Sequence, residues 1–389
     1  MRVLCVIDSL AAGGAQRQIV NLAVGLQHRG HDVHVFTYHP EAFFEPTLLE
    51  AGVTTHSVTK RARWSPAPAF RLREFLRVGR FEAMISFLDT PNVYAEVASL
   101  GGRVPRLIVS ERSAFDVRKL SLARCLRLQL HRVATHITTN SHHQRHSLQQ
   151  ACPWMRSRLR TIWNGVDLQR FHPSSDGDRP AADELKLLVV SSVAPFKNGG
   201  RVIEALDLLR ARGMRPSVTW VGAHQLTIPS RRRASIEWRQ RLRALQLESQ
   251  WEWVERSDTI PQLMRGHDAL LHPSYLEGLP NAICEALASG LPVLASAGFD
   301  HQRLVSDSGA GILFDPFSPQ QIADAIQRFA AEPNAARRAM GMRAREFATR
   351  HLSIEEFVNG YERTLHESTC DASIPGSRSS YAAAADGLK

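Results

Sequence analysis

Two carboxylates flank a short turn-and-helix segment in the second half of the chain. Glu277 precedes Gly278-Leu279-Pro280, whose glycine and proline predict a turn. The residues that follow predict a helix with Asn281 as its N-cap, Glu285 about one turn in and a stop at Gly290. Free amides at a helix start favour a phosphate group. Because carboxylates repel a diphosphate, they more readily accept hydrogen bonds from hydroxyls, so the pattern fits a ligand with sugar, diphosphate and ribose. The alternative is an amphipathic helix with two solvated acids.

A lysine and a glycine pair supply two further candidates. Lys197 lies in the loop PFKNGG after an apolar strand, where an ammonium can neutralise a leaving diphosphate, a contact worth roughly 1.5–3 kcal/mol. Gly13 and Gly14 close the turn after the first strand, where backbone amides can approach a ligand oxygen. The surrounding residues are not G-x-G-x-x-G, so no dinucleotide fingerprint is present. A surface lysine and a simple tight turn are the alternatives.

Alternating strands and helices must position these residues. Short β-branched runs separated by segments with a 3.6-residue apolar period predict parallel sheets covered by helices on both faces, an α/β fold. The predicted strands are Val3–Ile7, Val33–Thr37, Ala83–Phe87, Arg106–Val109, His136–Thr139, Lys186–Ser191, Ser217–Val221, Trp251–Val254, Ala269–Leu271 and Pro292–Ala295. The predicted helices are Gln16–Arg29, Arg201–Ala211, Ser230–Leu247, Asp324–Arg328 and Ala335–His351.

The length and composition predict two domains. We place the first at 1–173, a linker rich in breakers at 174–185 and the second at 186–345. Helices at 346–369 are expected to cross back to the first domain, and the small, polar residues 370–389 to be disordered.

Charge and cysteine usage limit the possible binding partners and the cellular compartment. Residues 1–170 hold 23 Lys and Arg against 12 Asp and Glu, whereas residues 171–389 hold 25 against 26, so the net charge of +10 belongs to the first half. This admits anionic lipid, a phosphorylated acceptor or nucleic acid as partner, but the interleaved aromatics of a nucleic-acid platform are missing. Five cysteines, no signal peptide and no run of about 18 apolar residues predict a cytoplasmic protein.

Four motifs in order carry a family resemblance. They are GGAQRQIVNLAVGLQHRGHDV at 13–33, NGVDLQRFHP at 164–173, the strand and PFKN at 187–198, and EGLPNAICEALASGLPV at 277–293. Together they resemble the family 4 retaining glycosyltransferases over roughly residues 1–365. The resemblance implies the GT-B arrangement: two facing Rossmann-like domains, the first binding the acceptor and the second a nucleotide sugar, with a ligand cleft between them.

The resemblance also implies roles for individual residues. Glu285 would bind the ribose hydroxyls and Glu277 the transferred sugar, while Lys197 and helix amides would stabilise the leaving diphosphate. The implied donor-binding set is Gly14, Ser192, Lys197, Asn198, Glu277, Gly278, Leu279, Asn281 and Glu285. The implied catalytic set is Lys197, Glu277 and Arg112, and the acceptor side comprises Gly13, Gly14, Glu111 and Arg112. The family's front-face mechanism requires no metal, and no cofactor is expected beyond the nucleotide sugar as co-substrate.

Two positions depart from the family pattern. Ser192 stands where the family usually has an arginine, so Arg201 or Arg265 would have to replace that cation, or phosphate binding would be weaker. The histidine usual after the fourth strand of the first domain is absent. Glu111 or Arg112 would then face the acceptor, with Arg112 a partner for an acceptor phosphate, unless the two form an exposed ion pair.

Two other patterns have structural explanations. His142, His143 and His146 have helical spacing for a metal, but no acidic or cysteine ligand lies nearby in sequence, which favours a solvated helix start capped by Ser141. The basic, leucine-rich segment 118–132 could lie on a membrane interface or be buried against the sheet.

The sequence therefore predicts a cytoplasmic glycosyltransferase that transfers a sugar from a nucleotide diphosphate, most simply UDP, to a lipid-linked or saccharide acceptor with retention. Surface-polysaccharide or glycan assembly is the implied setting, with peripheral contact at the inner membrane as an option. The rival hypotheses are a nucleotide-sugar epimerase, which works without an acceptor, and a non-catalytic binding protein, which Ser192 and the missing histidine favour.

Overall fold

Two parallel sheets form the framework of the protein. The computed structural model describes residues 1–60, 62, 65–100, 104–112, 121–174, 184–255 and 257–367. The strands of the first sheet are β1 Arg2–Val6, β2 Asp32–Thr37, β3 Thr54–Ser57, β4 Ala83–Phe87, β5 Arg106–Glu111, β6 His136–Thr139 and β7 Leu159–Thr161. Those of the second sheet are β8 Lys186–Val190, β9 Ser217–Val221, β10 Trp251–Val254, β11 Ala269–His272, β12 Val293–Ser296 and β13 Gly311–Phe314. The first sheet has the order β3-β2-β1-β4-β5-β6-β7 and the second has the order β10-β9-β8-β11-β12-β13.

Helices connect the parallel strands. In the first half they are α1 Gly14–His28, α2 Glu45–Glu50, α3 Ala67–Gly79, α4 Asp89–Ser99, α5 Leu122–Leu130 and α6 His142–Ala151. In the second half they are α7 Gly199–Ala211, α8 Pro229–Ala244, α9 Ile260–Gly266, α10 Asn281–Ala288, α11 Pro319–Ala331, α12 Asn334–His351 and α13 Ile354–His366. None of the described helices is long and apolar enough to cross a membrane.

The apolar strands are buried because helices cover both faces of each sheet. Val3 pairs with Val33 of the neighbouring strand, and both lie in the core of the first sheet. In the second sheet, Trp220 is fully buried and stacks on Trp251 with ring centroids 5.5 Å apart. Such runs of β-branched and aromatic residues are typical of strands buried on both sides.

The last helix returns to the first half of the protein. Phe357, Val358, Tyr361 and Leu365 of α13 belong to the same hydrophobic core as β1 and α1. Most of the expected linker lies outside the described residues, as does the tail expected to be disordered.

The strand order brings the predicted motifs to one edge of each sheet. It reverses between β1 and β4 in the first sheet and between β8 and β11 in the second. Ligands of open α/β sheets bind at such reversals, beyond the carboxyl ends of the strands. Gly13-Gly14 follows β1, Lys197 follows β8 and Glu277 follows β11, so the topology places all three at these crevices.

Most predicted elements are confirmed within one or two residues. The strands predicted at Ala83–Phe87, Ser217–Val221 and Trp251–Val254 match the structure at both ends. The helix predicted at Asp324–Arg328 is longer, because α11 begins at Pro319 with Ser318 as its cap.

Candidate active site at the domain interface

The start of α10 lies at the centre of the site. Asn281 was predicted to be its N-cap, and this is wrong: Pro280 is the N-cap and Asn281 the first helical residue, with no side-chain capping bond. The Asn281 Oδ1 atom instead accepts a hydrogen bond of 2.6 Å from Asn164 Nδ2, since the first domain supplies a partner that the local sequence does not show. Asn164 Nδ2 also lies 3.4 Å from the Leu279 carbonyl oxygen.

The glycine pair approaches the same helix from the other domain. Gly13 is the N-cap of α1, with an ordinary extended φ of −118°, and Gly14 is the first helical residue. A Cβ atom added to Gly14 would lie 2.7 Å from Asn281 Nδ2. A side chain at Gly14 would therefore push the two domains apart, so close approach explains this glycine better than backbone conformation does.

Lys197 and Glu277 form an ion pair. Lys197 Nζ lies 2.5 Å from Glu277 Oε1, and His272 Nε2 lies 3.3 Å from the same oxygen. Burial alone would raise the pKa of Glu277, but the hydrogen bond from His272 and the nearby Lys197 ammonium lower it below its ordinary value. Glu277 is therefore an anion that can accept hydrogen bonds from hydroxyl groups.

Glu285 is held by a cation from the first domain. Its carboxylate accepts a hydrogen bond from Arg17 Nη2 of α1, and only 6% of its side chain is exposed. Burial raises the pKa of Glu285, and the Arg17 guanidinium opposes that shift. The contact joins residues 268 positions apart and binds the two domains directly.

Gly278 and Arg112 meet at the interface. A Cβ atom on Gly278 would lie 2.7 Å from the Arg112 carbonyl oxygen and 3.3 Å from Asn140 Oδ1. The Arg112 guanidinium donates to Asn164 Oδ1 and lies 4.4 Å from the centre of the Phe87 ring. Arg112 therefore lies within the site, beside the segment between Glu277 and α10.

Glu111 was expected to face the acceptor, but it points into the first domain instead. Its carboxylate is fully buried, accepts a 2.7 Å hydrogen bond from Arg124 Nη2 and lies 3.3 Å from His131 Nε2. Burial alone would raise the pKa of Glu111, but His131, Arg124 and Arg127 lower it to about 2. Successive residues of a strand point to opposite faces, so Glu111 turns inward where Arg112 faces the interface.

Asn198 holds the lysine loop. Its φ of 66° is left-handed, a conformation that asparagine tolerates better than most residues. Its Nδ2 atom donates to the carbonyl oxygens of Pro273, at 3.1 Å, and Pro316, at 2.7 Å. Asn198 was predicted to bind the donor, but its amide is committed to fixing the loop that carries Lys197.

Neither Arg201 nor Arg265 takes the place of the arginine that Ser192 replaces. Ser192 is half-buried, and its backbone oxygen accepts a hydrogen bond from Ser191. Arg201 donates to Asn198 Oδ1 and lies 5.4 Å from the centre of the Phe317 ring. It lines a cavity of about 480 Å³ whose lining includes neither Lys197 nor a site glutamate. Arg265 lies in the last turn of α9 and has no contact with the site among the described residues.

The histidine segment joins the two domains. Ser141 caps α6 as predicted, accepting from Gln144 N. The backbone amides of His142 and His143 each donate a 2.8 Å hydrogen bond to the carboxylate of Asp300. In the part of the chain that the structure describes, no cluster of His, Cys, Asp and Glu is arranged to hold a metal ion.

Sequence reasoning missed Arg17, Asn164, His272 and Asp300. Arg17 and Asn164 stand inside motifs that were recognised, GGAQRQ and NGVD, so their position in a site motif was an available signal. Asp300 had no local signal, because its partners are more than 130 residues away.

The fold and site define a GT-B glycosyltransferase architecture. The Anabaena protein Alr3699/HepE, solved in complex with UDP-glucose, has a TM-score of 0.81 to this chain at 20% identity, covering 94% of this chain and 99% of that one. WaaG, a glycosyltransferase involved in lipopolysaccharide biosynthesis, has a TM-score of 0.66 at 18% identity, covering 93% and 98%.

Family models match both halves of the chain. Glycosyltransferase Family 4 matches residues 12–170, and Glycosyl transferases group 1 matches residues 175–347. The lipopolysaccharide glucosyltransferase WaaG of Escherichia coli is 25% identical over 371 residues, which cover 88% of this chain and 93% of WaaG. A D-inositol 3-phosphate glycosyltransferase of Mycolicibacterium vanbaalenii is 25% identical, covering 91% of this chain and 86% of that protein. The chain belongs to the family 4, or group 1, glycosyltransferases.

Proposed function

We propose that the protein transfers a sugar from a UDP-sugar to a lipid-linked or saccharide acceptor, with retention and without a metal ion. One observation carries the proposal: Lys197, Glu277 and the start of α10, one turn before Glu285, converge at a single interface between the domains. The complex of Alr3699/HepE with UDP-glucose supports UDP as the nucleotide, and the similarity to the lipopolysaccharide glucosyltransferase WaaG supports a glycan acceptor.

The site residues supply the charges that such a transfer needs. As the bond between sugar and diphosphate breaks, negative charge grows on the leaving phosphate, and Lys197 and the α10 amides stabilise it. Glu277, which is partly exposed, and Glu285, which is buried, accept hydrogen bonds from sugar and ribose hydroxyls. In front-face attack the departing phosphate accepts the acceptor's proton, so neither glutamate acts as nucleophile.

Nucleotide-sugar binding and turnover test the proposal. We expect one of a panel of UDP-, GDP- and ADP-sugars to raise the melting temperature, and acceptor-dependent release of the nucleoside diphosphate. Lys197→Ala and Glu285→Ala should each lower turnover by orders of magnitude. The matched controls Lys186→Ala, at the opposite end of β8, and Glu248→Ala, both exposed, should leave turnover unchanged.

Four further readouts test the finer parts of the proposal and its rival functions. Turnover in EDTA tests metal independence, and the anomeric configuration of the product, read by NMR, tests retention. Conversion of the donor alone into an isomer would show an epimerase, and binding without turnover of any acceptor would show a non-catalytic protein.

The first domain offers a surface for peripheral membrane contact in the cytoplasm. Leu122 and Leu126, one turn apart on α5, are 76% and 62% exposed. Exposed leucines on an amphipathic helix favour the boundary of a bilayer. Arg124 and Arg127 of the same helix are paired with Glu111 and Asp89, so the leucines rather than these arginines would make the contact. Cosedimentation with vesicles containing phosphatidylglycerol tests this: Leu126→Glu should weaken binding, whereas Met342→Glu, an equally exposed residue of α12, should not. Equal binding by both variants would reject the surface.

A further inference from the structure

The charges at the interface are not all balanced. Lys197 is paired with Glu277, and Arg17 with Glu285. Arg112 is different, because it contacts the neutral groups of Ser110, Asn164 and Phe87, and no carboxylate among the described residues lies within ion-pair distance. Among the described residues, Lys197 and Arg17 are thus each neutralised by a glutamate, whereas Arg112 has no carboxylate partner.

Arg112 is deeply buried for a charged side chain. It is 8% exposed, and Asn164, Ser110 and the Phe87 ring surround its guanidinium. Burial lowers the pKa of Arg112, but arginine stays protonated in proteins. A buried charge without a counter-ion is costly, so a protein that retains one has a use for it, such as binding an anion.

The position of Arg112 specifies where that anion would lie. Asn164 accepts from the Arg112 guanidinium and donates to Asn281 at the first turn of α10. One amide side chain thus links the cation to the helix start, and the Arg112 backbone contacts Gly278 on the other side. A formal charge and a helix N-terminus combine at this point, a pairing that favours phosphate.

We propose that Arg112 is the second cation of the diphosphate site, supplied by the first domain in place of the arginine that Ser192 replaces in the second. The inference rests on the proposed function and changes the role expected for Arg112 from acceptor phosphate to leaving diphosphate. Because Arg112 and Lys197 belong to different domains, the leaving group can contact both cations only when the domains are closed.

Paired nucleotides test the role of Arg112 in binding. Calorimetry would use whichever of UDP, GDP and ADP binds the wild-type protein, together with its monophosphate. Arg112→Gln should weaken diphosphate binding roughly tenfold to a hundredfold, the size of one charge-assisted contact, and change monophosphate binding less than twofold. Arg112→Lys should recover part of the loss. The control Arg71→Gln should leave both affinities unchanged, because Arg71 is an exposed arginine of the first domain that pairs only with its neighbour Glu74 among the described residues.

The possible outcomes are distinct. If no nucleoside diphosphate binds the wild-type protein, the proposed function fails and takes this inference with it. If the wild-type protein binds one and Arg112→Gln binds it equally well, only the inference fails. If Arg112→Gln increases only the KM for the acceptor, Arg112 binds the acceptor instead. Equal losses of affinity for both nucleotides, together with a lower melting temperature, would show that Arg112 has a structural role.

Discussion

At the scale of single residues, a buried histidine holds the strand that presents Arg112. His131 Nδ1 lies 2.5 Å from Glu96 Oε1, and both side chains are fully buried. Burial alone would lower the pKa of His131, but hydrogen bonds with Glu111 and Glu96 raise it to about 9. At neutral pH the imidazolium therefore binds Glu111 directly, one residue before Arg112.

This pKa predicts how stability depends on pH. Since the folded-state pKa of His131 exceeds the unfolded value near 6.5, its stabilisation is fully present below about pH 6.5 and is lost as pH rises through about 9. The wild-type protein should therefore lose up to about 3 kcal/mol of unfolding free energy between pH 6.5 and 9 that His131→Gln does not lose. Urea unfolding between pH 6 and 9.5 measures it, with the exposed His28→Gln as control. Parallel profiles for His131→Gln and the wild-type protein would contradict the assignment.

At the scale of elements, the NGVD segment connects three helices. Asn164 binds α10, as described above. The backbone of Gly165 both donates to and accepts from the Gln18 side chain of α1, at 2.9 Å each. Val166 N donates to the Leu352 carbonyl oxygen at 2.7 Å, just before α13. This motif therefore fixes the return of the chain to the first domain.

Gly165 has no room for a side chain. A Cβ atom there would lie 2.9 Å from Phe357 Cβ and 3.1 Å from Ile354 Cα, and a backbone atom cannot rotate away. We expect Gly165→Ala to lower the free energy of unfolding by about 1–3 kcal/mol, as overpacked sites do. Chemical denaturation measures the loss. Gly266→Ala, which meets nothing within 4 Å, is the matched control; equal stability of the two variants would refute the packing argument.

Local patterns predicted the elements but not their contacts. The strand at Trp251–Val254 and the helix at Ala335–His351 follow from periodicity, which each segment carries within itself. The pairing of Lys197 with Glu277 was not derivable in the same way, since 80 residues separate them, although the strand order brings their loops together. The inward turn of Glu111 and the use of Asn281 by Asn164 depend on neighbours that only the assembled domains supply.

At the scale of the whole molecule, the two domains are held together by contacts around the site. Arg17 binds Glu285 and Asn164 binds Asn281 near α10. Asp300, in the loop after β12, forms a third contact with α6 and with Trp163 Nε1, at 2.9 Å. Because Arg112 and Lys197 lie on opposite sides, the distance between the domains controls how much positive charge a bound diphosphate meets.

Asp300 offers the most direct test of whether contact between the domains controls diphosphate binding. Its carboxylate accepts three N–H groups, two of them at the positive end of α6, and only 2% of the residue is exposed. Removing it in Asp300→Ala leaves those donors unpaired and should favour an open arrangement of the domains.

We expect Asp300→Ala to increase the radius of gyration measured by small-angle X-ray scattering and to weaken diphosphate binding about tenfold, the scale of one lost charge-assisted contact. The monophosphate should be less affected, because it lacks the phosphate that Arg112 would reach. Asp307→Ala, a nearby aspartate that bonds Gln302 within the same domain, is the control and should change neither quantity. Unchanged scattering together with weaker binding would place Asp300 in ligand binding itself. Unchanged values of both would show that Arg17 and Asn164 suffice to hold the domains closed.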